Sequence, residues 1–143
     1  MISSDNWRLL LAPTLKVENV FKIAVGDARV REYLETRGWA FRGNDKEAEM
    51  DMYRNKRTGK ILFVEDISEG FPVTFLMGEL SRTEFGKIAH DLVPEINLLE
   101  VDSSWEGKPT TIVVAMSEVQ VRNMFGKGTK MRRLATNRAT SRS

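Results

Sequence analysis

The chain has 143 residues, 41% hydrophobic and 29% charged, with no cysteine and a formal net charge of +2. That length suits one domain with a substantial core, and the lack of cysteine excludes a disulfide framework, a thiolate metal site and a cysteine nucleophile. No stretch approaches the roughly 18 apolar residues that span a bilayer. The opening MISSDNWRLLLAP carries an acid and too short an apolar run for a secretory signal, so the expected setting is intracellular (cytoplasmic), away from membranes.

Along the chain, Trp7, Leu10 and Leu11 suit a short helix stopped by Pro13. Val17, Val20, Phe21 and Ala24 recur at helical spacing and favour a second helix, while Leu15, Val17, Phe21, Ile23 and Val25 also fit the alternation of a strand. Asp27 is the predicted cap of a helix from Ala28 to Arg37, with Val30, Tyr33 and Leu34 inward and Gly38 at its end. A strand over 39–42 follows, then strands over 48–54 and 60–66 joined by a hairpin loop at Asn55–Gly59, and a short strand over 73–77.

The strongest local signal lies at Leu80 to Phe85. Ser81 and Glu84 form a capping box, and Leu80 and Phe85 sit where a hydrophobic staple closes. The helix so predicted buries Phe85, Ile88, Ala89, Leu92 and Val93 and stops at Pro94. Strands over 96–101 and 110–116 flank a polar loop, Asp102–Lys108. A last helix starts at Ser117, with Gln120 completing a second capping box and Met116 and Val121 a second staple, and ends at Gly126. The expected architecture is one α+β domain over 1–126, a small mixed β-sheet of four or five strands with helices packed mainly on one side (an α-β-β-β-α-β core), followed by a basic tail over 127–143.

The tail holds Lys127, Lys130, Arg132, Arg133, Arg138 and Arg142 and no acid, so subtracting its +6 from the net +2 leaves −4 on residues 1–126. A mildly acidic body with a basic arm is the pattern of a binder of nucleic acid, DNA or RNA, or of another anionic surface. Six phosphate contacts would give a salt slope of log K of roughly −4 to −5. A second basic group, Arg54, Lys56, Arg57 and Lys60, gathers at the hairpin tip, with Arg37 and Arg42 expected nearby. Trp105, in the polar loop, is a candidate anchor for a protein partner. The competing reading is a non-catalytic component of a larger assembly, such as a virion, a ribonucleoprotein or an inhibitor complex, with the tail threaded into a neighbour.

Catalytic chemistry has few carriers. His90 is the only histidine and has no second histidine for a zinc pair, so a structural role is expected. Gly126-Lys127-Gly128-Thr129-Lys130 lacks the preceding strand and following helix of a phosphate-binding loop. Glu49, Asp51 and Tyr53 share one face of their strand, and Glu65 shares a face with Ile61, Phe63 and Ile67. If pairing brings Asp51 and Glu65 to one side, two hard oxygen ligands converge, suited to Mg²⁺ or Mn²⁺ and metal-assisted phosphoryl chemistry. If not, both are ordinary solvent-face residues.

The stretch from Arg31 to Glu65, REYLETRGWAFRGNDKEAEMDMYRNKRTGKILFVE, resembles the core of the PD-(D/E)xK nuclease superfamily, closest to its resolvase-like and small bacterial endonuclease-like branches. Leu34 and Gly38-Trp39 match its helix-ending turn, Glu49-Met50-Asp51 its Glu-x-Asp, and Leu62-Phe63-Val64-Glu65 the run into its Glu-x-Lys. The resemblance implies a metal held by Asp51 and Glu65, with Glu32 or Glu35 assisting from the helix. The motif lysine is replaced by Ile67, leaving Lys60 or Lys87 as substitutes. Helix–β–β–β–helix is also the order of double-stranded-RNA-binding domains. The toxin ribonucleases on that plan need a histidine in the middle strand, which 48–54 lacks, so only the binding version applies.

Overall fold

A computed structural model describes residues 19–45, 50–94, 97–105 and 107–136. The helix expected near Trp7 lies outside them. The ambiguous segment around Val20 is a strand, β1 (Asn19–Ile23). Tertiary pairing decides this against the helical periodicity, because both backbone edges of β1 find partners. Phe21 and Ile23 point to one face of the sheet and are fully buried, while Val20 is buried on the other.

The chain continues as α1 (Asp27–Thr36), β2 (Trp39–Asp45), β3 (Met50–Asn55), β4 (Ile61–Asp66), β5 (Thr74–Gly78), α2 (Arg82–Leu92), β6 (Asn97–Trp105), β7 (Lys108–Ala115), α3 (Glu118–Phe125) and β8 (Met131–Thr136). The eight strands form one sheet in the order β2-β3-β4-β5-β1-β7-β6-β8. Every pairing is antiparallel except β1 with β7. The fold is α+β with a mixed sheet. It is larger than the four or five strands expected, and four strands rather than three separate α1 from α2.

Each face of the sheet carries its own apolar cluster. On one, Phe21, Tyr53, Leu62, Val64, Leu76 and Val113 pack with Val30 and Leu34 of α1 and with Phe85, Ile88 and Ala89 of α2. The rings of Phe21 and Phe85 stack with centroids 4.3 Å apart. On the other, Val20, Phe63, Phe75, Met77, Leu99 and Val114 pack with Val121 of α3. Two of the three described helices therefore share a face. Both capping boxes form as the sequence predicts: Ser81 Oγ accepts from Glu84 N at 3.1 Å, and Ser117 Oγ from Gln120 N at 3.1 Å. Each is worth about 1 kcal/mol.

Three further expectations change. Asp27 is the first residue of α1 rather than its cap; Gly26 takes the cap position without a side-chain bond, and Asp27 instead binds Arg31 one turn on, at 3.0 Å. The polar loop Asp102–Lys108 is a hairpin, with β6 and β7 paired out to Trp105 and Lys108 and Gly107 in the turn at φ +78°. Strand-end pairing satisfies the backbone there better than an open loop would, and glycine permits the left-handed turn. The basic segment does not leave the domain at Gly126, because β8 extends the sheet alongside β6. Met131 and Leu134 pack against the apolar clusters of the two faces, which is what orders a strand that its charge alone would not.

Gly78 has φ +148°, and a Cβ there would stand 2.5 Å from the Ile61 carbonyl oxygen. Gly78→Ala is expected to cost about 2 kcal/mol or more in urea unfolding. Lys22, half-buried on β1, lies with its Nζ 4.6 Å from the centroid of the Phe125 ring. Burial pushes its ammonium below the ordinary lysine value, with Glu69 opposing only in part. The charged form is therefore disfavoured in the fold at neutral pH, and the penalty vanishes once the amine is neutral in both states. Lys22→Met is expected to raise the unfolding midpoint at pH 7, by an amount that shrinks as pH rises through the lysine range.

Candidate nucleic-acid interface

The sheet register decides the carboxylate pair first. Asp51 lies opposite Val64, on the face that holds α1 and α2. Glu65 lies opposite Phe75, on the other face. With a side-chain period of two, the offset of one residue turns Asp51 and Glu65 to opposite sides of the sheet, so they do not form the metal pair that the resemblance implies. Asp51 is instead bound by Arg31 Nη1, and its other oxygen accepts from Asn44 Nδ2 at 2.6 Å. Arg31 is thus shared between Asp27 and Asp51. Burial works against its charge, but hydrogen bonds to Tyr53 and Asp27 and the attraction of Asp51 raise its pKa.

The other members of that expected site are dispersed. Glu32 and Glu35 are exposed on α1, and Glu49 lies outside the described residues. Lys60 pairs with Glu84 at 3.6 Å, and Lys87 shares a recess with Lys60 at the end of β3 remote from Asp51. His90 is exposed on α2. Among the described residues, no group of three or more His, Asp or Glu side chains could hold a metal ion. The link between Arg31 and Asp51 escaped the sequence reading because it spans 20 positions and joins a helix to a strand.

The basic segment after Gly126 is partly neutralised by its own domain. Arg132 Nη2 meets Glu100 at 2.5 Å, and Arg82 of α2 holds the same carboxylate at 2.7 Å. Arg133 pairs with Glu118 at 3.3 Å. Lys130 shares a recess with Glu100 and Asp102, while Lys127 is exposed. Arg138 and Arg142 lie outside the described residues, as does the side chain of Trp105.

The hairpin tip is different. Arg42 of β2, Arg54 of β3, and Lys56 and Arg57 of the β3–β4 turn line a recess of about 510 Å³ together with Ala40, Asn55, Thr58 and Gly59. No carboxylate lines it, and none of the four cations makes an ion pair among the described residues. Ala40 and Arg54 are cross-strand partners, so their side chains rise on one face. The register shift between Phe41 and Gly43 leaves Arg42 as the extra residue of a bulge.

The turn itself is tied down. Asn55 Oδ1 accepts from the backbone N–H groups of Arg57 and Thr58, both at 3.0 Å, and Gly59 N donates to Asn55 O at 2.8 Å. Lys56 N donates to Gly38 O at 2.8 Å, which anchors the turn to the end of α1. Gly59, at φ +77°, lets the chain re-enter β4. The tip and β8 are far apart. Five strand-to-strand steps separate β4 from β8 in the sheet order, about 24 Å at the usual interstrand spacing.

A residue kept only for metal would cost the fold little when removed in metal-free buffer. Asp51→Ala is expected to behave otherwise, lowering stability by about 1–3 kcal/mol in urea unfolding with chelator present, because Arg31 and Asn44 lose their acceptor.

No family model matches the chain, and no significant match was found among curated proteins or solved structures.

Proposed function

We propose that this protein binds nucleic acid and that the phosphodiester backbone is held in the recess of Arg42, Arg54, Lys56 and Arg57. One observation carries the reading: four cations converge with no carboxylate among the described residues that line their recess, beside a turn whose backbone is already fixed. Like charges gathered around one recess repel, and a cluster without ion pairs among the described residues is relieved by a polyanion. The pre-ordered turn lowers the entropy lost on binding.

The tail becomes a secondary element in this reading. Arg132 and Arg133 already spend their charge on Glu100 and Glu118. Lys127 and Lys130, flanking the far edge strand, would add attraction there. The contacts at the tip are to phosphate, so they favour no base sequence. Binding alone is proposed, with no catalytic step.

The measurement is fluorescence anisotropy with a labelled oligonucleotide over a series of salt concentrations. Four phosphate contacts at the tip contribute roughly −3 to −4 to the slope of log K against log salt. Arg42→Glu with Arg54→Glu is expected to weaken binding at least about tenfold and to flatten the slope by about 2. Unchanged affinity and slope in that double variant would overturn the assignment.

A further inference from the structure

A second recess lies across the tip from the first, and we infer that it receives an unstacked nucleobase, which makes the ligand a single strand. This rests on the phosphate-binding reading above and narrows it. The second recess, of about 250 Å³, lies between α1, α2 and the end of the sheet, with Trp39, Leu80 and Ile88 among its lining. Asn55, Arg57 and Thr58 line both recesses, so the turn is a ridge between them. The first recess opens on the sheet face of Ala40 and Arg54, and the second on the face of Trp39.

The two differ in chemistry. The first offers cations and no aromatic ring. The second adds the rings of Tyr33 and Trp39 to Arg37, Arg57, Lys60 and Lys87. Its one acid, Glu84, is already engaged by Ser81 N at 2.9 Å and by Lys60. Tyr33 and Arg37 form a fixed plate. The Arg37 guanidinium lies 4.6 Å over the Tyr33 ring, Tyr33 Oη donates to Asp91 Oδ2 at 2.5 Å, and Arg37 reaches the same carboxylate at 3.8 Å. Guanidinium planes and aromatic rings are the surfaces on which single-stranded bases stack.

Size points the same way. Sites that enclose a whole small-molecule ligand measure roughly 300–1,000 Å³. A recess of about 250 Å³ beside a phosphate groove fits one planar group of a longer chain. A strand draped over the ridge would rest its phosphates in the first recess and turn a base into the second. Bases in a duplex are stacked and paired, and cannot make that turn without being extruded.

The test compares three labelled 12-nucleotide ligands at fixed salt: a single strand, the same strand with abasic sugars in place of its bases, and a duplex. The single strand is expected to bind roughly fivefold or more tightly than the abasic strand, from one stacked base, and the duplex no better than the abasic strand. Tyr33→Ala and, separately, Arg37→Ala are expected to bring the ratio of base-bearing to abasic affinity close to one, while Tyr33→Phe preserves it. Taking the ratio cancels any shared loss of charge or stability. A wild-type ratio near one, or a ratio that survives both alanine variants, overturns the second recess and leaves the first standing. If Arg42→Glu with Arg54→Glu weakens neither single strand nor abasic strand, the phosphate reading itself fails, and with it the inference.

Discussion

The five residues of β1 hold the molecule together. On one side of β1 lies the antiparallel run β2-β3-β4-β5, and on the other the antiparallel run β7-β6-β8. Either run could satisfy its inner hydrogen bonds alone, but neither would cover its inner edge. β1 closes both edges at once, antiparallel to β5 and parallel to β7. Phe21 then ties this junction to α2 through its stacked contact with Phe85. The hairpin tip and β8 lie in different runs, and within the sheet this strand is what joins them.

That placement sorts the charge of the protein. At the β8 end, cations of β8 and α2 meet acids supplied by β6 and α3: Glu100 bridges Arg82 and Arg132, and Glu118 takes Arg133. The Glu100 carboxyl is accordingly held below the ordinary glutamate value by its bonds to Arg132 and Arg82. At the tip, the cations of β2, β3 and the β3–β4 turn meet one another. The same residue type is therefore paired with acids at one end and gathered with its own kind at the other. Net charge by segment does not distinguish them, whereas the partners of each side chain do.

Local signals were legible in the sequence where the responsible residues are close together. The capping boxes at Ser81 and Ser117, the turn at Asn55–Gly59 and the strands on either side of it all depend on groups within a few positions of one another. The convergence of Arg54, Lys56 and Arg57 could be read for the same reason. What could not be read depends on register across the sheet. The facing of Asp51 and Glu65 turns on a one-residue offset between β3, β4 and β5, which spacing along the chain leaves open. The strand character of Met131–Thr136 was masked by composition, since its arginines suggest a solvated arm until Glu100 and Glu118 are seen beside them.

The pairing of β8 with β6 also sets where the chain can be shortened. Removing everything past Gly126 would take a strand out of the sheet and leave β6 as an edge, with the backbone groups from Leu98 to Val101 that face β8 deprived of their partners. Leu98, Leu99 and Val101, now buried, would border that edge. A bare apolar edge is a template for joining to other chains. A protein cut there would report its tendency to self-associate before it reported anything about charge.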